Sequence, residues 1–461
     1  MITIIGNQIE IINPTEEILS WCEANLIVDN PDFQKKIRMN LWVGNTPKEL
    51  CLFTRYNTNN VIFLPYGCLH TIFPMLKKGA LKAKNKLVED VEYKGEVPLY
   101  DYQKTAVNRM SQYYCGILQS PAGSGKTQMG IALACKLGKK TLWLTHTKDL
   151  LLQSMKRAEE YLDSTGFGTI TEGEINIGST ITFATVQTMS NIDLGLYQNE
   201  WDCIIVDECH RVSGTPTAVT QFSKVLNSLW AKHKYGLSAT VHRADGLIKA
   251  TYAILGQVIY KVPDEAVAEK VMKVSVNPVN TGVGLNSDFL NADGTINFAK
   301  MVSYLTGLDY RNNQIVSNLI YEKWHYNLIL SDRVGHLKSL YELLPEKEKQ
   351  FASVIDGRTK KEVREQAIED MRTGKKHYLF ATYSLCKEGL DIPRLDRLYL
   401  TTPQKDYAVI TQSIGRIARR FEGKEEPVVF DFVDNFLYAM KAYKQRCSHY
   451  RKAGCEIKEW N

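Results

Sequence analysis

Short apolar runs of strand length recur along most of the chain and alternate with stretches of helical periodicity. Between about residues 96 and 265 the runs are GILQSP, TLWLTH, ITFATV, CIIVDE and KYGLSAT. Runs that are apolar throughout indicate strands buried on both faces, as in a parallel sheet covered by helices on either side. A second series follows residue 320, with YNLILSD, FASVID, YLFATYS, RLYLTTP and PVVFDFV. The pattern predicts an α/β protein with two parallel-sheet domains in tandem.

Outside these two series the pattern changes, and the changes predict the domain boundaries. Residues 1–95 alternate strand-like and helical segments, which predicts a small α+β accessory domain. Residues 266–318 are less regular and predict a connector, with room for an inserted element. The predicted order is an accessory domain at 1–95, a first parallel-sheet domain at 96–265, a connector at 266–318, a second parallel-sheet domain at 319–440 and a C-terminal tail at 441–461.

The composition of the 461-residue chain limits the kinds of protein that it can be. It is 44% apolar and 23% charged, which is typical of globular proteins and excludes wholesale disorder. No run approaches the roughly 20 apolar residues that span a bilayer, and the N-terminus has no basic leader. The ten cysteines form no CxxC pair, which favours reduced thiols over a zinc site. We therefore expect a cytoplasmic protein with no membrane partner.

The net charge of +6 is unevenly distributed. Residues 441–461 carry six basic and two acidic side chains, interleaved with Tyr443 and Tyr450. A basic segment with aromatic residues fits contact with a phosphate backbone, but a solvated helix face has the same pattern. The same two interpretations apply to a basic run in the accessory domain. That run comprises Lys77, Lys78, Lys82, Lys84 and Lys86.

The strongest chemical signal is a glycine-rich loop between the strand GILQ and the helical stretch that begins QMGIA. Strand, loop and helix in this order form the context in which backbone N–H groups and a helix N-terminus bind phosphate. Lys126 would reach the β- and γ-phosphates of ATP, and the Thr127 hydroxyl would hold Mg²⁺. The predicted phosphate-binding residues are Pro121, Ala122, Gly123, Ser124, Gly125, Lys126 and Thr127.

A second signal is the pair of carboxylates that ends the apolar run CIIV. Asp207 at the end of a strand would hold Mg²⁺ through water, and Glu208 would deprotonate the water that attacks the γ-phosphate. An isolated Asp-Glu pair after a strand is often only a polar loop, and the phosphate loop upstream favours the catalytic interpretation. His210 would either link nucleotide state to the other domain or form an ordinary loop hydrogen bond.

The segments PAGSGKT, DECH and SAT, in this order, resemble motifs I, II and III of superfamily 2 helicases and translocases. Upstream, Tyr102 and Gln103 resemble the motif that recognises adenine in that family. The resemblance implies two tandem RecA-like domains, ATP as a cofactor with Mg²⁺, and loops that hold a nucleic-acid backbone without reading its sequence. The predicted nucleic-acid contacts in the first domain are Thr145, His146, Thr185 and Gln187.

The second domain resembles the remaining motifs of the same family. Its motif IV and V segments imply nucleic-acid contacts at Ser331, Arg333 and Thr382, and nucleotide contacts at Gly389 and Asp391. The segment QSIGRIAR matches the family's QxxGRxxR motif VI. A guanidinium group from a facing domain stabilises charge on a transferring phosphate. The resemblance therefore implies nucleotide binding by Gln412 and two arginine fingers, Arg416 and Arg419.

Further segments resemble the XPB-related, phage UvsW-like branch of the family. They include Tyr310-Arg311-Asn312, Asp431-Phe432-Val433-Asp434 and, in the accessory domain, Trp42-Val43-Gly44, where Val43 replaces the branch's usual acid. The resemblance implies an ATP-dependent helicase that acts on branched DNA, by branch migration, fork regression and unwinding of D-loops or Holliday junctions. It also implies roles in phage-type recombination, replication and repair. We expect a monomer in the host cytoplasm whose partners are single-stranded and branched DNA and recombination or replication proteins.

Three alternatives stay open from the residues themselves. An RNA helicase or remodeller of the same superfamily would carry the same motifs, because no reader of the 2′-hydroxyl is identifiable. The second alternative is an ATP-gated module that binds or anneals junctions without unwinding them, since no strand-separation element is recognisable. The third concerns residues 1–95 alone, which would then contact protein rather than DNA.

Overall fold

The computed structural model describes residues 1–56, 58, 60–76, 81–83, 90–121, 123–215, 219–239, 247–268, 271–387 and 390–459. The chain forms two compact units, residues 1–266 and 267–461. Several predicted sites lie outside the described residues. They are Ala122, Gly389 and, from the basic run, Lys77, Lys78, Lys84 and Lys86.

The first unit begins with a small α+β domain, as the alternating pattern predicts. Helix α1 starts at a capped end, where the Thr15 hydroxyl accepts from the backbone N–H of Ile18 and Glu16 and Glu17 face the helix dipole. Five strands form one sheet in the order β5-β6-β2-β1-β7, and β3 pairs with β4. The elements are β1 (Ile2–Ile5), β2 (Gln8–Ile12), α1 (Glu16–Leu26), β3 (Ile27–Asp29), α2 (Pro31–Arg38), β4 (Glu49–Cys51), β5 (Thr54–Tyr56), β6 (Val61–Pro65), α3 (Leu69–Ile72) and β7 (Leu81–Ala83).

The rest of the first unit is a parallel α/β domain, which confirms the prediction from the buried apolar runs. Its eight strands lie in the order β11-β10-β12-β9-β13-β14-β8-β15, and all pair in parallel except β10 with β11. The elements are α4 (Asp101–Met110), β8 (Cys115–Gln119), α5 (Lys126–Leu137), β9 (Thr141–Thr145), α6 (Lys148–Glu159), β10 (Phe167–Thr171), β11 (Glu174–Asn176), β12 (Ile181–Thr185), α7 (Val186–Asn191), β13 (Cys203–Asp207), α8 (Gln221–Ser228), β14 (His233–Ser238), α9 (Ile248–Leu255), β15 (Val258–Lys261) and α10 (Asp264–Ala268).

The small domain and the parallel-sheet domain share one apolar core. The cluster around Ile9 and Ile11 of the small domain also contains Cys115, Trp230 and Ala253 from its neighbour. Because burying such side chains is the main stabilising term in folding, the small domain is a fixed part of the first unit.

A buried lysine crosses the same boundary. Lys234 is 0% exposed, and its Nζ donates to the carbonyl oxygens of Leu226 (2.7 Å), Leu229 (3.1 Å) and Asn7 (3.4 Å). Its ammonium lies 5.1 Å from the centroid of the Tyr66 ring, and the Tyr66 hydroxyl donates to the carbonyl of Lys232 at 2.8 Å. A buried cation needs such partners, so these contacts fix how the two domains pack.

The second unit is a parallel α/β domain with seven strands in the order β18-β19-β17-β20-β21-β16-β22. Strand β16 lies inside the segment predicted as the connector, and α18 and β22 occupy most of the predicted tail. The elements are β16 (Ser275–Asn280), α11 (Phe298–Thr306), α12 (Asp309–Tyr321), β17 (Asn327–Ser331), α13 (Val334–Glu342), α14 (Glu346–Lys349), β18 (Ala352–Ile355), α15 (Lys361–Thr373), β19 (Tyr378–Thr382), α16 (Tyr383–Lys387), β20 (Arg397–Leu400), α17 (Tyr407–Ile417), β21 (Val428–Val433), α18 (Leu437–Lys452) and β22 (Glu456–Ile457).

Two buried ion pairs attach helices to the end of β21. Arg311 on α12 is 0% exposed, and its Nε lies 2.8 Å from Oδ1 of Asp434. Arg446 on α18 binds Asp431 through two nitrogens, at 2.8 and 2.9 Å. Removing one partner of such a pair would leave a buried charge uncompensated. Two segments that carry the resemblance to the UvsW-like branch therefore have a structural role in this chain.

The side chains of the predicted basic tail divide into two sets. Arg446, Tyr443 and Tyr450 face the interior, and the Tyr450 hydroxyl donates to Oδ2 of Asp431 at 2.6 Å. The other basic side chains are exposed to solvent. The exposed set comprises Lys441, Lys444, Arg451, Lys452 and Lys458.

Among the described helices, none combines the length and the apolar character that crossing a bilayer requires.

We predict that Gly67→Ala lowers the free energy of unfolding of the first unit by about 1–3 kcal/mol, the usual cost of overpacking a core. A Cβ at Gly67 would lie 2.3 Å from the backbone N of Gly256 and 2.6 Å from the carbonyl oxygen of Tyr252. Urea unfolding measures the change. Gly357→Ala is the control, because nothing lies within 4 Å of the added atom. Equal stability of the two variants would contradict the prediction.

Candidate functional site

The glycine-rich loop joins the end of β8 to the start of α5, which begins at Lys126. Gly123 and Gly125 have φ of 82° and 80°, in the left-handed region where a side chain is strained. A Cβ at Gly125 would also lie 2.5 Å from Nε2 of Gln103, so a side chain there would displace that amide in addition to straining the backbone. The turn places the first N–H groups of α5, which have no partner within an α-helix, at the loop, and such a helix N-terminus favours an anion.

Gln103 and Tyr102 support this loop from α4. The Gln103 side chain is buried, accepts from the backbone N–H of Tyr100 at 2.9 Å and donates to the carbonyl of Ser124 at 2.9 Å. The Tyr102 hydroxyl donates to the same carbonyl at 2.9 Å. Both side chains therefore position the phosphate loop. Their predicted contact with adenine stays a prediction.

Asp207 and Glu208 lie at the carboxyl end of β13, close to the phosphate loop. Strand β14 pairs with both β13 and β8, so the loops that follow all three strands lie at one edge of the sheet. Asp207 is buried, and burial together with the neighbouring Glu208 raises the pKa of its carboxyl group, while Lys126 opposes the rise. Because burial and Glu208 both disfavour the ionised form of Asp207, a divalent cation bound at these two carboxyl groups would stabilise their negative charge.

The backbone at Glu208 is strained. Its φ of 50° and ψ of 49° are left-handed values, which are uncommon for a residue other than glycine, asparagine or aspartate. Its Oε2 lies 3.2 Å from Nδ1 of His210, and the same nitrogen lies 3.1 Å from the Ser238 hydroxyl at the end of β14. Strain of this kind persists where surrounding contacts hold a functional side chain in place. The histidine thus links Glu208 to the loop after β14.

The predicted nucleic-acid contacts of the first unit lie on adjacent strand ends, because Thr145 of β9 pairs with Thr185 of β12. Both hydroxyls are buried and form internal hydrogen bonds, Thr145 to the carbonyl of Thr147 (3.1 Å) and Thr185 to the Thr188 hydroxyl (3.0 Å). Gln187 is exposed, and its Nε2 donates to the carbonyl of His146 at 2.6 Å. The two threonines shape the loops, and Gln187 is the exposed side chain of this set.

The His146 ring is neutral at physiological pH. Its pKa is lowered to about 4, mainly by burial and then by the positive charge of Arg211. The carboxylate of Glu208 raises the pKa, but by less than these two effects lower it. Within the described part of the chain, neither ring nitrogen has a hydrogen-bond partner. The side chain therefore lies inside the loop, near Glu208 and His210, rather than in solvent.

In the second unit, Ser331 at the end of β17 is buried and its predicted nucleic-acid contact stays untested. Its hydroxyl lies 3.0 Å from Nδ1 of His336, and Nε2 of that histidine lies 2.9 Å from Oδ1 of Asn312. Arg333 is exposed beside it. Thr382 lies next to Ser331 on β19, where its hydroxyl accepts from the N–H of Leu385 at 3.5 Å.

The predicted nucleotide residues of the second unit lie on α17 and the loop before β20. Arg419 pairs with Asp391, which also receives Nη2 of Arg372 at 3.5 Å. Arg416 donates from Nε to the carbonyl of Cys386 at 3.1 Å. Oε1 of Gln412 is buried, and among the described residues it has no hydrogen-bond partner. The finger role of both arginines stays a prediction.

Lys424 holds this segment together, and sequence reasoning missed it. Its Nζ donates to the carbonyl oxygens of Ile417 (2.6 Å), Arg419 (2.8 Å) and Pro393 (3.0 Å). Carbonyls at a helix C-terminus lack partners within the helix, so the ammonium satisfies them and ties them to the loop that carries Asp391. Its only sequence signal is a basic residue seven positions beyond the end of α17.

Two family models match the chain. Residues 96–243 match "Type III restriction enzyme, res subunit", and residues 311–421 match "Helicase conserved C-terminal domain". Both matched regions fall on the parallel-sheet domains and include the segments quoted as motifs I, II and VI.

Three relatives illustrate the similarity. The chain is 27% identical to "Putative ATP-dependent RNA helicase L396" of Acanthamoeba polyphaga mimivirus, over 81% of this chain and 71% of the relative. It is 25% identical to "DNA 3'-5' translocase XPB2" of Sulfurisphaera tokodaii, over 71% and 80%. It is 21% identical to "ATP-dependent DNA helicase uvsW" of Enterobacteria phage T4, over 51% and 47%.

A solved structure of similar fold supports the architecture of the chain but not its function. The structure titled "S. cerevisiae Dbp5 bound to RNA and ADP BeF3" superposes with a TM-score of 0.52 at 16% identity, and covers 86% of this chain and 93% of that one. The tandem parallel-sheet arrangement is therefore RecA-like.

We predict that acid destabilises the second unit through His336. Burial lowers the pKa of this histidine to about 3, so between pH 6.5 and 3 the unfolded chain binds a proton that the folded chain excludes. Stability therefore falls as pH falls, by about 1.4 kcal/mol per pH unit from this group. Urea unfolding at pH 7 and pH 5 should show a smaller difference for His336→Gln than for the wild type. Half-buried His377→Gln is the control; an unchanged difference in His336→Gln would contradict the prediction.

We also predict that Lys424→Met lowers the free energy of unfolding of the second unit by at least about 2 kcal/mol, because each buried carbonyl left unpaired costs about 1–3 kcal/mol. Exposed Lys375→Met is the matched control and should be close to neutral. Urea unfolding compares the two. Wild-type stability of Lys424→Met would show that the three hydrogen bonds are dispensable.

Proposed function

Because the chain is an ATP-dependent helicase of superfamily 2, we propose that its substrate is branched DNA. It would act by branch migration, fork regression or unwinding of D-loops and Holliday junctions, in recombination, replication and repair. The observation that carries this proposal is the small domain that shares a core with the first parallel-sheet domain through Cys115, Trp230 and Ala253. A helicase with a rigidly attached second domain has two surfaces for a substrate with more than one arm.

The names of two relatives also support DNA as the substrate. XPB2 is named a DNA translocase, and uvsW is named a DNA helicase. The exposed basic side chains of α18 would add contacts to a phosphate backbone, and such contacts do not depend on sequence. These features suit a substrate that is defined by its shape rather than by its sequence.

In the proposed mechanism the first unit holds ATP and Mg²⁺. The loop and the α5 N-terminus would bind the phosphates, Lys126 would neutralise part of their charge, and Thr127 and Asp207 would hold Mg²⁺. Mg²⁺ would offset charge on the phosphates when bound. Glu208 takes the proton of the attacking water, since it lies next to Asp207 in a fixed backbone conformation.

In the second unit, Arg416 and Arg419 would stabilise the charge that develops on the γ-phosphate. Asp391 orients Arg419 through their ion pair, and Lys424 holds the carbonyl of Arg419. Gln412 and Gly389 complete the proposed nucleotide contacts. On the nucleic-acid side, exposed Gln187 and Arg333 would contact the backbone, in loops shaped by Thr145, Thr185, Ser331 and Thr382.

RNA is the second candidate substrate, because one relative is named an RNA helicase. The steady-state ATPase rate separates the candidates when it is measured with single-stranded DNA, duplex DNA, a four-way DNA junction and structured RNA at matched nucleotide concentration. Strongest stimulation by the junction supports the proposal. Strongest stimulation by RNA overturns the branched-DNA substrate and leaves the helicase intact.

We predict that Glu208→Gln lowers ATP turnover by about 100-fold or more, the usual contribution of a general base. The amide keeps the size of the side chain, so ATP binding should change little. Turnover with DNA and binding of a fluorescent ATP analogue test this. Glu174→Gln, at an exposed position on β11, is the control. Full turnover in Glu208→Gln would exclude Glu208 as the base.

A further inference from the structure

Trp42 has the most exposed large apolar side chain among the described residues, at 88% exposure. It lies in the loop between α2 and β4 of the small domain. Ile37, Met39 and Leu41 precede it, with exposures of 51%, 58% and 53%. Single apolar residues are common on protein surfaces, but a run of four large ones in six positions marks an interaction surface.

The loop that carries Trp42 is held in place by its own hydrogen bonds. The backbone N–H of Leu41 donates to the carbonyl of Lys36 at 2.8 Å, and that of Thr46 donates to the carbonyl of Val43 at 3.0 Å. Nζ of Lys36 donates to the Thr46 hydroxyl at 2.6 Å. The loop therefore presents Trp42 on a defined backbone.

The Trp42 ring rests on a glycine. Gly44 has a φ of 52°, and a Cβ placed on it would lie 3.0 Å from Cζ3 of the indole ring. A side chain at this position would meet the ring, so glycine allows the indole to lie against the backbone. One side of the ring is thus supported, and the rest of its surface faces solvent.

The segment that carries the ring is basic. Residues 31–48 contain the four basic side chains Lys35, Lys36, Arg38 and Lys48 and one acid, Asp32, which gives this segment a net charge of +3. Asp32 lies 3.3 Å from Lys36, and Arg38 donates from Nε to the carbonyl of Gln34 at 3.3 Å. The side chains of Lys35 and Arg38 are both exposed. Helix α2 has no buried residue. A supported aromatic ring within a positive surface matches an unpaired nucleotide, which offers a base to stack on and a phosphate to pair with.

The base of the loop is fixed to the rest of the first unit. The Asn30 backbone N–H donates to the carbonyl of Lys48 at 3.0 Å, and its side chain donates to the carbonyl of Pro47 at 2.8 Å. Strands β3 and β4 flank this point, and Val28 and Leu50 reach the core that the small domain shares with its neighbour. A base held by Trp42 would therefore move with the first unit.

We propose that Trp42 is a stacking platform for an unpaired base at a DNA branch point, with Lys35 and Arg38 on the adjacent phosphates. This inference rests on the proposed function, because it takes DNA as the substrate. It adds a surface that holds a base after strand separation, outside the motifs of the two parallel-sheet domains. Full-length protein is needed for the test, since deleting residues 1–95 would expose Trp230 and Cys115.

Binding of fluorescent single-stranded DNA, a four-way junction with unpaired bases at its branch point, and a fully paired duplex tests the platform, by anisotropy at one salt concentration. Trp42→Ala should weaken binding of the single strand and the junction by about tenfold, within the range for loss of one stacked base. Duplex affinity should change less than about twofold, because its bases are already stacked. Trp42→Phe keeps a ring and should restore most of the affinity.

Trp324→Ala is the matched control, since Trp324 is 77% exposed but lies in the second unit. It should bind all three DNAs as the wild type does. Unchanged binding by Trp42→Ala would overturn the proposal. An equal loss for duplex and single strand would also overturn it, because it would show a contact that does not need an unpaired base.

A second measurement isolates the phosphate contacts. The double variant Lys35→Gln, Arg38→Gln should reduce the slope of log affinity against log salt by about 1.4 for single strands, at about 0.7 per released counterion. An unchanged slope would remove these two side chains from the proposal.

The stacking contact and the branched-DNA function give different results in these measurements. If the wild-type ATPase prefers the junction and Trp42→Ala still binds like the wild type, only the stacking platform is wrong. If the wild-type ATPase shows no preference for the junction but Trp42→Ala loses single-strand affinity, the branched-DNA function is wrong and the stacking contact stands.

Discussion

The first unit is organised around a carboxyl group that is buried where water is scarce. Asp207 is buried at the end of β13, and burial and Glu208 both work against its ionisation, while Lys126 favours it. Lys126 stands where it does because Gly125 turns the chain into α5 with a φ of 80°. Gln103 and Tyr102 in turn hold the carbonyl of Ser124, just before that turn. Loops far apart in sequence are thus arranged around a single electrostatic requirement.

The second unit meets a different requirement, since it must compensate several charges that are buried in its own core. Its buried ion pairs, Arg311 with Asp434 and Arg446 with Asp431, fix α12 and α18 on β21. Lys424 and Asp391 then constrain the end of α17 through carbonyl and carboxylate contacts. Fully paired buried charges tolerate little rearrangement, which makes this part of the domain stiff.

Sequence patterns predicted the two parallel sheets because buried strands such as Cys203–Asp207 are apolar at every position. They also predicted the phosphate loop, because its glycines and lysine are adjacent in the chain. They did not indicate that Ser275–Asn280 belongs to the second sheet, since this short strand contains a proline and two asparagines. The sequence did not indicate the role of Lys424, because its partners are backbone carbonyls, which every residue has. The interior position of Arg446 was hidden for a similar reason, as its partner Asp431 lies on another element.

The contact of Gly67 with the backbone of Gly256 and Tyr252 has a consequence for how such proteins diversify. Where two domains meet backbone to backbone, neither can be replaced independently. Any replacement domain must also lack a side chain at the point of contact. A recombination event that joined a new small domain to this parallel-sheet domain would also have to retain Gly67, Gly256 and Lys234, the lysine that crosses the boundary. The small domain and the first parallel-sheet domain should therefore be inherited together, as one evolutionary module.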